Sequence, residues 1–250
     1  MPSPRTSPQE NTPAVTTPLW IAAVSLLFSA TAADTVTASC PPPHTDCTAS
    51  LLAAMGATGA TLITIPRLPS GKAWPVRPMV LVNEAASDRT IVLQAGVEIV
   101  AMADPLFHWP FSSPLLTVTN ATNFTLRGEH HSSGATIRMH RETYLDPTKY
   151  KHSEYRHGLA LRGGEQIVIQ DLNISQSGGD GIYMTGNEHH SAGIYRGYCR
   201  NVLINRVVCD RNTRQGMSVI GAVNLMVRDS EFSGTNGRCE FSTDFRPVFD

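Results

Sequence analysis

The chain has 250 residues and a formal net charge of −1 at pH 7, so its charge gives no reason to expect nucleic acid as a partner. Charged residues make up only 16% of the chain, and glycine and proline occur 19 and 17 times, which favours a turn-rich β architecture. A hydrophobic fraction of 41% excludes a disordered chain. Outside a targeting segment, the length suits one large domain or an incomplete longer one.

Residues 1–33 have the pattern of a targeting segment. No charged residue lies between Glu10 and Asp34, and within this gap the apolar run Leu19–Phe28 precedes Ala30–Ala32, a cleavage-like Ala-x-Ala pattern. The run is short for a membrane span and suits a secretory signal peptide, with an uncleaved signal anchor as the alternative. We therefore expect a secreted, extracellular protein with no membrane contact beyond such an anchor.

The five cysteines agree with export. Cys40 and Cys47 flank a short loop that a disulfide would close. Cys199 and Cys209 either pair with each other or lie as buried thiols, and Cys239 is left over. The sequence has no Cys-x-x-Cys pair, so a structural zinc site is not expected.

Three sequons make the chain a candidate glycoprotein if it is secreted. They begin at Asn120, Asn123 and Asn173. Because Asn173 falls within a predicted strand, we expect its occupancy to be the lowest of the three.

The first predicted elements after residue 33 form a cap. Asp46–Gly56 has the pattern of a short helix, with Asp46 as its N-cap and Gly56 at its C-terminal end. Thr61–Ile65 is a strand that Pro66 ends. The first rung of a solenoid would otherwise expose an apolar cross-section and free strand edges, which a helix at this place covers.

Between this cap and residue 157 the chain alternates short apolar strands with polar loops. The predicted strands are Thr90–Gln94, Val97–Met102, Leu115–Asn120, Asn123–Gly128 and Gly134–His140. Asp104–Ser113 is a loop that carries aromatic residues, and Arg141–Tyr155 is a polar excursion too long for a tight turn.

The stretch from residue 158 to residue 237 repeats one pattern three times. The first halves of the copies are Gly158–Gly163, Gly181–Gly186 and Gly216–Gly221, and the second halves are Gln166–Ser175, Asn201–Asp210 and Asn224–Ser233. Apart from an insert at Asn187–Tyr198, the offsets agree and give a period of about 23 residues. Short strands of that period indicate an all-β solenoid over residues 34–237, followed by an irregular tail at 238–250.

The repeat also predicts which side chains meet. In a parallel solenoid, equivalent positions of successive rungs stack about 4.8 Å apart. The residues immediately before the turn glycines are His157, Asp180 and Gln215, so the register predicts that these three form a column on one edge. Arg156 and Arg214 precede the column and are predicted to flank it about two rungs, or roughly 10 Å, apart.

Further polar segments are predicted to surround this column. The insert that holds Glu188 and His189 follows the strand after Asp180 and would overhang the same face. Arg138, His140 and the long polar excursion precede the column and would form its other rim.

The chain resembles right-handed parallel β-helix proteins of the pectate-lyase-like superfamily. The segments that carry the resemblance are Gly134–Tyr144, Tyr155–Leu159, Ser177–Tyr183 and Arg214–Ile220. Together they look like a subfamily described only as right-handed β-helix repeat proteins. Its wider relatives are mostly secreted enzymes of acidic polysaccharides, namely pectin and alginate lyases, polygalacturonases and alginate epimerases. The resemblance thus implies a right-handed β-helix and an acidic polysaccharide as partner.

Most motifs of those relatives are missing here. Gly178–Asp180 only loosely resembles the Asn-Thr-Asp turn of polygalacturonases, and their Asp-Asp pair and Gly-His-Gly are absent. Pro147 is followed by Thr148, so the Asp-Pro-His-Asp of alginate epimerases is absent as well. No acidic cluster of the calcium-dependent lyases is visible, so no metal ligand is predicted and calcium stays an open option. Relatives usually continue with further rungs, so the sequence is compatible with a truncated or mispredicted gene product, or with one that has an altered C-terminus.

Lyase or epimerase chemistry is the first functional hypothesis. It needs a cation that neutralises the substrate carboxylate and a base near the C–H bond. Arg156 and Arg214 would bind the carboxylate. His157, Tyr183 or a residue of the insert would be the base, and Asp180 would orient His157 and raise its pKa.

A hydrolase would instead combine Asp180 with Asp210 or Glu188. The further candidates for substrate binding are Gln215, Arg138, His140, Glu188 and His189. The alternative to an enzyme is a noncatalytic solenoid that binds polysaccharide or lies at the cell surface. In that case Asp180 and Asp210 form Asx turns, and the arginines are solvated corner charges. The oligomeric state is not indicated.

Overall fold

The computed structural model describes residues 34–69, 71–189 and 195–235, with the backbone alone at 188–189 and 195–196. Its strands stack in parallel as a β-helix, and a helix of eight residues lies near the N-terminal end, so the predicted all-β solenoid with a capping helix is confirmed. No helix in these ranges is long and apolar enough to cross a membrane. The predicted targeting segment and the tail at 238–250 lie outside the described residues.

Short strands joined by tight corners make up most of the described chain. In chain order the strands are β1 (Asp34–Thr37), β2 (Ala60–Ile65), β3 (Trp74–Val76), β4 (Met79–Val82), β5 (Arg89–Leu93), β6 (Glu98–Ala101), β7 (Leu116–Gly128), β8 (Thr136–Arg138), β9 (Tyr155–Arg156), β10 (Leu159–Ser175), β11 (Gly178–Gly179), β12 (Ile182–Thr185), β13 (Glu188–His189), β14 (Tyr195–Arg196), β15 (Cys199–Asp210), β16 (Met217–Val219), β17 (Ala222–Arg228) and β18 (Glu231–Ser233). The helices are α1 (Thr48–Met55) and α2 (Arg141–Tyr144), and Asn83–Ala86 forms a 3-10 turn.

Successive rungs of the solenoid contribute to three parallel sheets. The front sheet contains β4, the first parts of β7 and β10, β12 and β16. The second sheet contains β1, β2, β5, later parts of β7 and β10, the first part of β15, and β17. The third sheet contains β3, β6, β8, the ends of β10 and β15, and β18. The long strands β7, β10 and β15 therefore continue round corners.

Polar residues with positive φ make one column of these corners. Asp88, Asn123, Gln166, Asn201 and Asn224 have φ values between 52° and 58°, a conformation that Asn and Asp tolerate better than most residues. Neighbours in this column also bond: Asn123 Nδ2 donates to Asp88 Oδ1 at 3.1 Å, and Asn224 Nδ2 donates to Asn201 Oδ1 at 2.9 Å. The polar residue that opens the second half of each repeat is therefore a corner rather than the beginning of a separate strand.

The repeated glycines before the front sheet mark a close approach of backbones. Gly158 N–H donates to the carbonyl of Asp180, and Gly181 N–H to that of Gln215, both at 2.9 Å. A Cβ at Gly181 would lie 2.5 Å from the carbonyl oxygen of Gly216, and one at Gly158 would lie 2.5 Å from a methyl carbon of Ile174. These positions are glycine because no side chain fits between successive rungs.

The N-terminal cap has the predicted helix, which begins at Thr48 after the N-cap residue Cys47. Asp46, the predicted N-cap, instead accepts the amide of Thr48 at 3.0 Å. The helix buries Leu51 and Met55 against the solenoid interior.

The disulfide between Cys40 and Cys47 is present, as predicted. Cys199 and Cys209 are free and buried, so of the two alternatives the buried thiols are correct. Cys239 lies outside the described residues.

The glycine column gives a first testable prediction. We expect Gly181→Ala to lower the free energy of unfolding by about 2–3 kcal/mol, because the new methyl group forces the rungs apart. Urea denaturation of the purified chain measures this loss. Gly56→Ala is the milder control, since its φ is −98° and its nearest foreign atom is 3.1 Å from the new Cβ. Equal losses for the two variants would contradict the close-approach explanation.

Candidate functional site

The register places the three predicted column residues side by side. β10, β12 and β16 pair so that the positions before Gly158, Gly181 and Gly216 are equivalent. The carbonyls of Asp180 and Gln215 accept the amides of the next rung's glycines. His157, Asp180 and Gln215 therefore form the predicted column, where the chain passes from the third sheet to the front sheet.

Asp180 lies at the centre of the column and is shielded from solvent. Its side chain has 0% exposure, and its Oδ2 lies 3.0 Å from Arg214 Nη1 and 3.4 Å from His157 Nδ1. Among the described residues, its buried Oδ1 has no hydrogen-bond partner. Burial disfavours the charged carboxylate of Asp180. This effect exceeds the opposing effects of the Arg214 charge and the local hydrogen bonds, so the pKa of Asp180 is raised to about 6. The carboxyl is consequently protonated in part at mildly acidic pH.

His157 is held as a neutral ring. Its Nδ1 accepts the backbone N–H of Asp180 at 3.0 Å, so the proton of the neutral ring is on Nε2. Burial, and then the positive charges of Arg214 and Arg162, lower the pKa of His157 to about 3. The sequence predicted a raised pKa for His157, but the pKa is lowered, because burial and the two arginine charges determine the shift. With Nδ1 engaged and Nε2 protonated, the ring is a hydrogen-bond donor rather than a base.

Tyr183 lies next to the column on the outer face of the front sheet. Its ring stacks on that of His157, with 4.4 Å between centroids and 2° between planes. Tyr183 is half-buried, whereas His157 is 2% exposed. The histidine ring thus supports one face of the tyrosine ring.

Arg214 connects two carboxyl groups at the column. Its Nε lies 3.3 Å from Glu154 Oε2, and its Nη1 lies 3.0 Å from Asp180 Oδ2. The side chains of Arg214 and Glu154 are 26% and 42% exposed, so this pair is the accessible part of the cluster. Ser218 Oγ donates to Gln215 Oε1 at 2.6 Å and orients the amide of the last column residue.

Glu154 and Ser218 were missed at the level of sequence. Glu154 belongs to the long polar excursion, which lacks the repeat period. No register therefore indicates which of its side chains contact the column. Ser218 is an ordinary alternating residue of β16, and only the paired strands reveal that it contacts Gln215.

Arg156 is placed away from the accessible surface. It is 2% exposed, and its Nε and Nη1 donate to the carbonyls of Pro110 and Lys151 at 3.1 and 3.2 Å. Its guanidinium also lies over the rings of Tyr144 and Tyr150, at 5.5 and 4.9 Å from their centroids. These contacts join two loops, and they occupy the guanidinium that was predicted to bind substrate.

Two other predicted binding residues, Arg138 and His140, lie outside the column, and two more, Glu188 and His189, are described by their backbone alone. Arg138 pairs with Glu98 on the third sheet, and His140 Nε2 contacts the carbonyl of Ala101 at 2.6 Å. The backbone of Glu188–His189 pairs with β14 and follows β12, at the opposite end of that strand from Asp180. The side chains of these two insert residues lie outside the described part.

The remaining predictions concern surface positions. Asp210 accepts from Arg211 Nε at 2.9 Å and shows no contact with Asp180. Asn120, Asn123 and Asn173 are exposed, and glycosylation at these sequons stays a prediction. Over residues 34–69, 71–189 and 195–235, no group of three or more His, Cys, Asp and Glu side chains is arranged to hold a metal ion.

Comparison with known proteins supports the fold. No family model and no curated protein matches the sequence. Among solved structures, the chain is similar to a putative glycosyl hydrolase from Parabacteroides merdae, with a TM-score of 0.53 and 13% sequence identity over 81% of this chain and 97% of that chain. At this identity the likeness shows the fold alone, and the superfamily assignment stays a resemblance.

The opposite pKa shifts of Asp180 and His157 give a second prediction. The fold favours protonated Asp180, so this group's contribution to stability is full below pH 3.8 and is lost as the pH rises through about 6. The fold favours neutral His157, so that contribution is full above pH 6.5 and is lost as the pH falls through about 3. The two contributions oppose each other between these limits.

Single variants separate the two contributions. Relative to the double variant, His157→Gln should lose stability as the pH rises from about 4 to about 6, and Asp180→Asn should gain stability over that range. Each slope is at most about 1.4 kcal/mol per pH unit. Urea denaturation at several pH values measures both. Parallel curves for the two single variants would contradict the assigned protonation states.

Proposed function

We propose that this protein is secreted and carbohydrate-active, and that it binds an acidic polysaccharide on the outer face of the front sheet. The observation that carries the proposal is the position of Tyr183 and Arg214 beside one column. A supported aromatic ring and a partly exposed guanidinium thereby face the same surface. The name of the Parabacteroides protein describes that protein only, yet it agrees with a carbohydrate ligand here.

Tyr183 offers a platform for a sugar ring. Aromatic rings bury large apolar areas at small entropic cost, and the C–H faces of pyranose rings are apolar. The ring of His157 lies flat behind Tyr183 at 4.4 Å, which keeps the tyrosine ring in one orientation. His157 thereby orients the Tyr183 ring at the outer face of the front sheet, and we expect a sugar to pack against this ring.

Arg214 supplies the charge for an acidic sugar. A guanidinium binds carboxylates through two parallel hydrogen bonds, and Arg214 is held in place by Glu154 and Asp180. Since the pKa of Asp180 is raised to about 6, this carboxyl neutralises Arg214 less in mildly acidic solution. A substrate carboxylate then competes mainly with the exposed Glu154.

Export is supported by the covalent structure. The disulfide between Cys40 and Cys47 closes a short loop just before the capping helix. Disulfide bonds persist mainly in oxidising compartments. The apolar run at residues 19–28 and the sequons are compatible with the same route.

A binding experiment tests the proposal. The purified chain should bind polygalacturonate or alginate more tightly than a neutral glucan, with an affinity that falls as salt is added. Tyr183→Ala and Arg214→Gln should each weaken binding roughly tenfold, since each removes about 1.4 kcal/mol or more. Isothermal titration calorimetry measures the affinity, and urea denaturation verifies folding. Equal affinity for neutral and acidic chains would overturn the acidic ligand.

Hydrolysis is a second candidate, favoured by the two carboxyl groups that Arg214 connects. Glycosidases use one protonated and one ionised carboxyl at the scissile bond, and the raised pKa of Asp180 beside the exposed Glu154 meets the electrostatic part of that requirement. Because Asp180 is fully shielded, the residues that cover it must move before a substrate can reach it. Lyase or epimerase chemistry with His157 as base is less well supported, since neither ring nitrogen is free to accept a proton.

A turnover assay tests this second candidate. If the chain hydrolyses an acidic glycan, new reducing ends should appear without unsaturated ends, and Glu154→Gln should slow their formation by roughly 100-fold or more. Glu231→Gln, which neutralises an exposed carboxyl on the third sheet, is the matched control. Tight binding without any cleavage would leave the noncatalytic solenoid as the function.

A further inference from the structure

The outer face of the front sheet extends beyond Tyr183 toward earlier rungs. In register, one row across this face contains Val80, Thr117 and Tyr183. The next row contains Thr119 and Arg162, two residues further along each strand. Arg162 is therefore a diagonal neighbour of Tyr183, on the adjacent rung about 4.8 Å away.

A concavity of about 240 Å³ lies on this part of the face. Its lining combines the apolar side chain of Val80, the hydroxyls of Ser113, Thr117 and Thr119, and the guanidinium of Arg162. This mixture of apolar surface, hydroxyls and one cation suits an acidic sugar, which presents C–H groups, hydroxyls and a carboxylate.

The wall of the concavity is fixed by buried aromatic residues. Trp109 is 1% exposed, and its Nε1 donates to the carbonyl of Ser113 at 2.7 Å. The hydroxyl of Tyr150 accepts the backbone amide of Trp109 at 3.0 Å. Ser113, one of the lining residues, is therefore held by contacts that do not involve a ligand.

Arg162 differs from most arginines in the described part of the chain. Arg206 binds Asp171 through two bonds of 2.6 and 2.9 Å, and Arg138 pairs with Glu98. No hydrogen bond or ion pair joins the Arg162 guanidinium to another described residue, although it lies in a concavity. The strand register places Arg162 on the same outer face as Tyr183.

We propose that Arg162 and this concavity bind the carboxylate of a second sugar unit, while the first unit lies on Tyr183 beside Arg214. The inference rests on the proposed function and adds the direction of the chain, which crosses successive rungs. Arg162 then selects polysaccharides with carboxylates on neighbouring units. A charge-assisted, bidentate bond to each carboxylate provides that selection.

The experiment compares two arginines and two ligands. Arg162→Gln is compared with the control variant Arg200→Gln. Arg200 is exposed on the second sheet, and its replacement lowers the net charge by the same amount as that of Arg162. The probes are polygalacturonate and its fully methyl-esterified form, in which uncharged methyl esters replace the carboxylates. Isothermal titration calorimetry with the full chain gives the affinity of each pair, and urea denaturation verifies folding.

We expect Arg162→Gln to weaken binding of polygalacturonate about tenfold and to leave binding of the esterified form unchanged. Arg200→Gln should change neither. The inference is overturned if Arg162→Gln binds polygalacturonate like the unmodified chain, loses both ligands equally, or behaves like Arg200→Gln. If the unmodified chain binds no acidic glycan at all, the proposed function fails as well, so the two failures are distinguishable.

Discussion

The close approach of successive rungs at Gly158, Gly181 and Gly216 is the constraint on which the site depends. Because a Cβ at Gly181 would lie 2.5 Å from the next rung's carbonyl oxygen, the backbones pass each other at hydrogen-bonding distance. The residue before each glycine is thereby fixed beside its counterpart, however far apart the two are in sequence. His157 and Asp180 meet for this reason, and Arg214 reaches Asp180 from the following rung.

The same packing decides which of these groups can meet a ligand. It removes Asp180 and His157 from water, so that the carboxyl has a raised pKa and the imidazole a lowered one. The side chains of His157 and Asp180 therefore contact neighbouring residues of the site rather than solvent. The partly exposed partners of the column are Tyr183, Arg214 and Glu154, and our proposal assigns ligand binding to the first two. Burial thus leaves the groups that can meet a ligand one contact outward from His157 and Asp180.

Backbone periodicity predicts the fold and the column from sequence, because equal spacing forces equal register. The capping helix was predicted separately, from the residues at its two ends. Periodicity does not predict Glu154 or the position of Arg156, since the excursion at residues 141–155 has no period and its side chains return wherever packing takes them. The sign of the His157 shift was missed because adjacency to Asp180 suggests attraction, whereas burial and two arginines outweigh it. Arg162 occupies an ordinary strand position, and only the concavity distinguishes it.

Arg156 connects these observations, although it does not reach the front face. Its guanidinium donates to Pro110 and packs on Tyr150, and the hydroxyl of Tyr150 in turn accepts the amide of Trp109, whose indole binds Ser113. The chain of contacts therefore runs from a buried arginine to the wall of the concavity. Arg156, which the sequence predicted to bind substrate, thus supports Ser113 in the lining of the concavity. Arg162 keeps its own charge available, because no described carboxyl forms an ion pair with it.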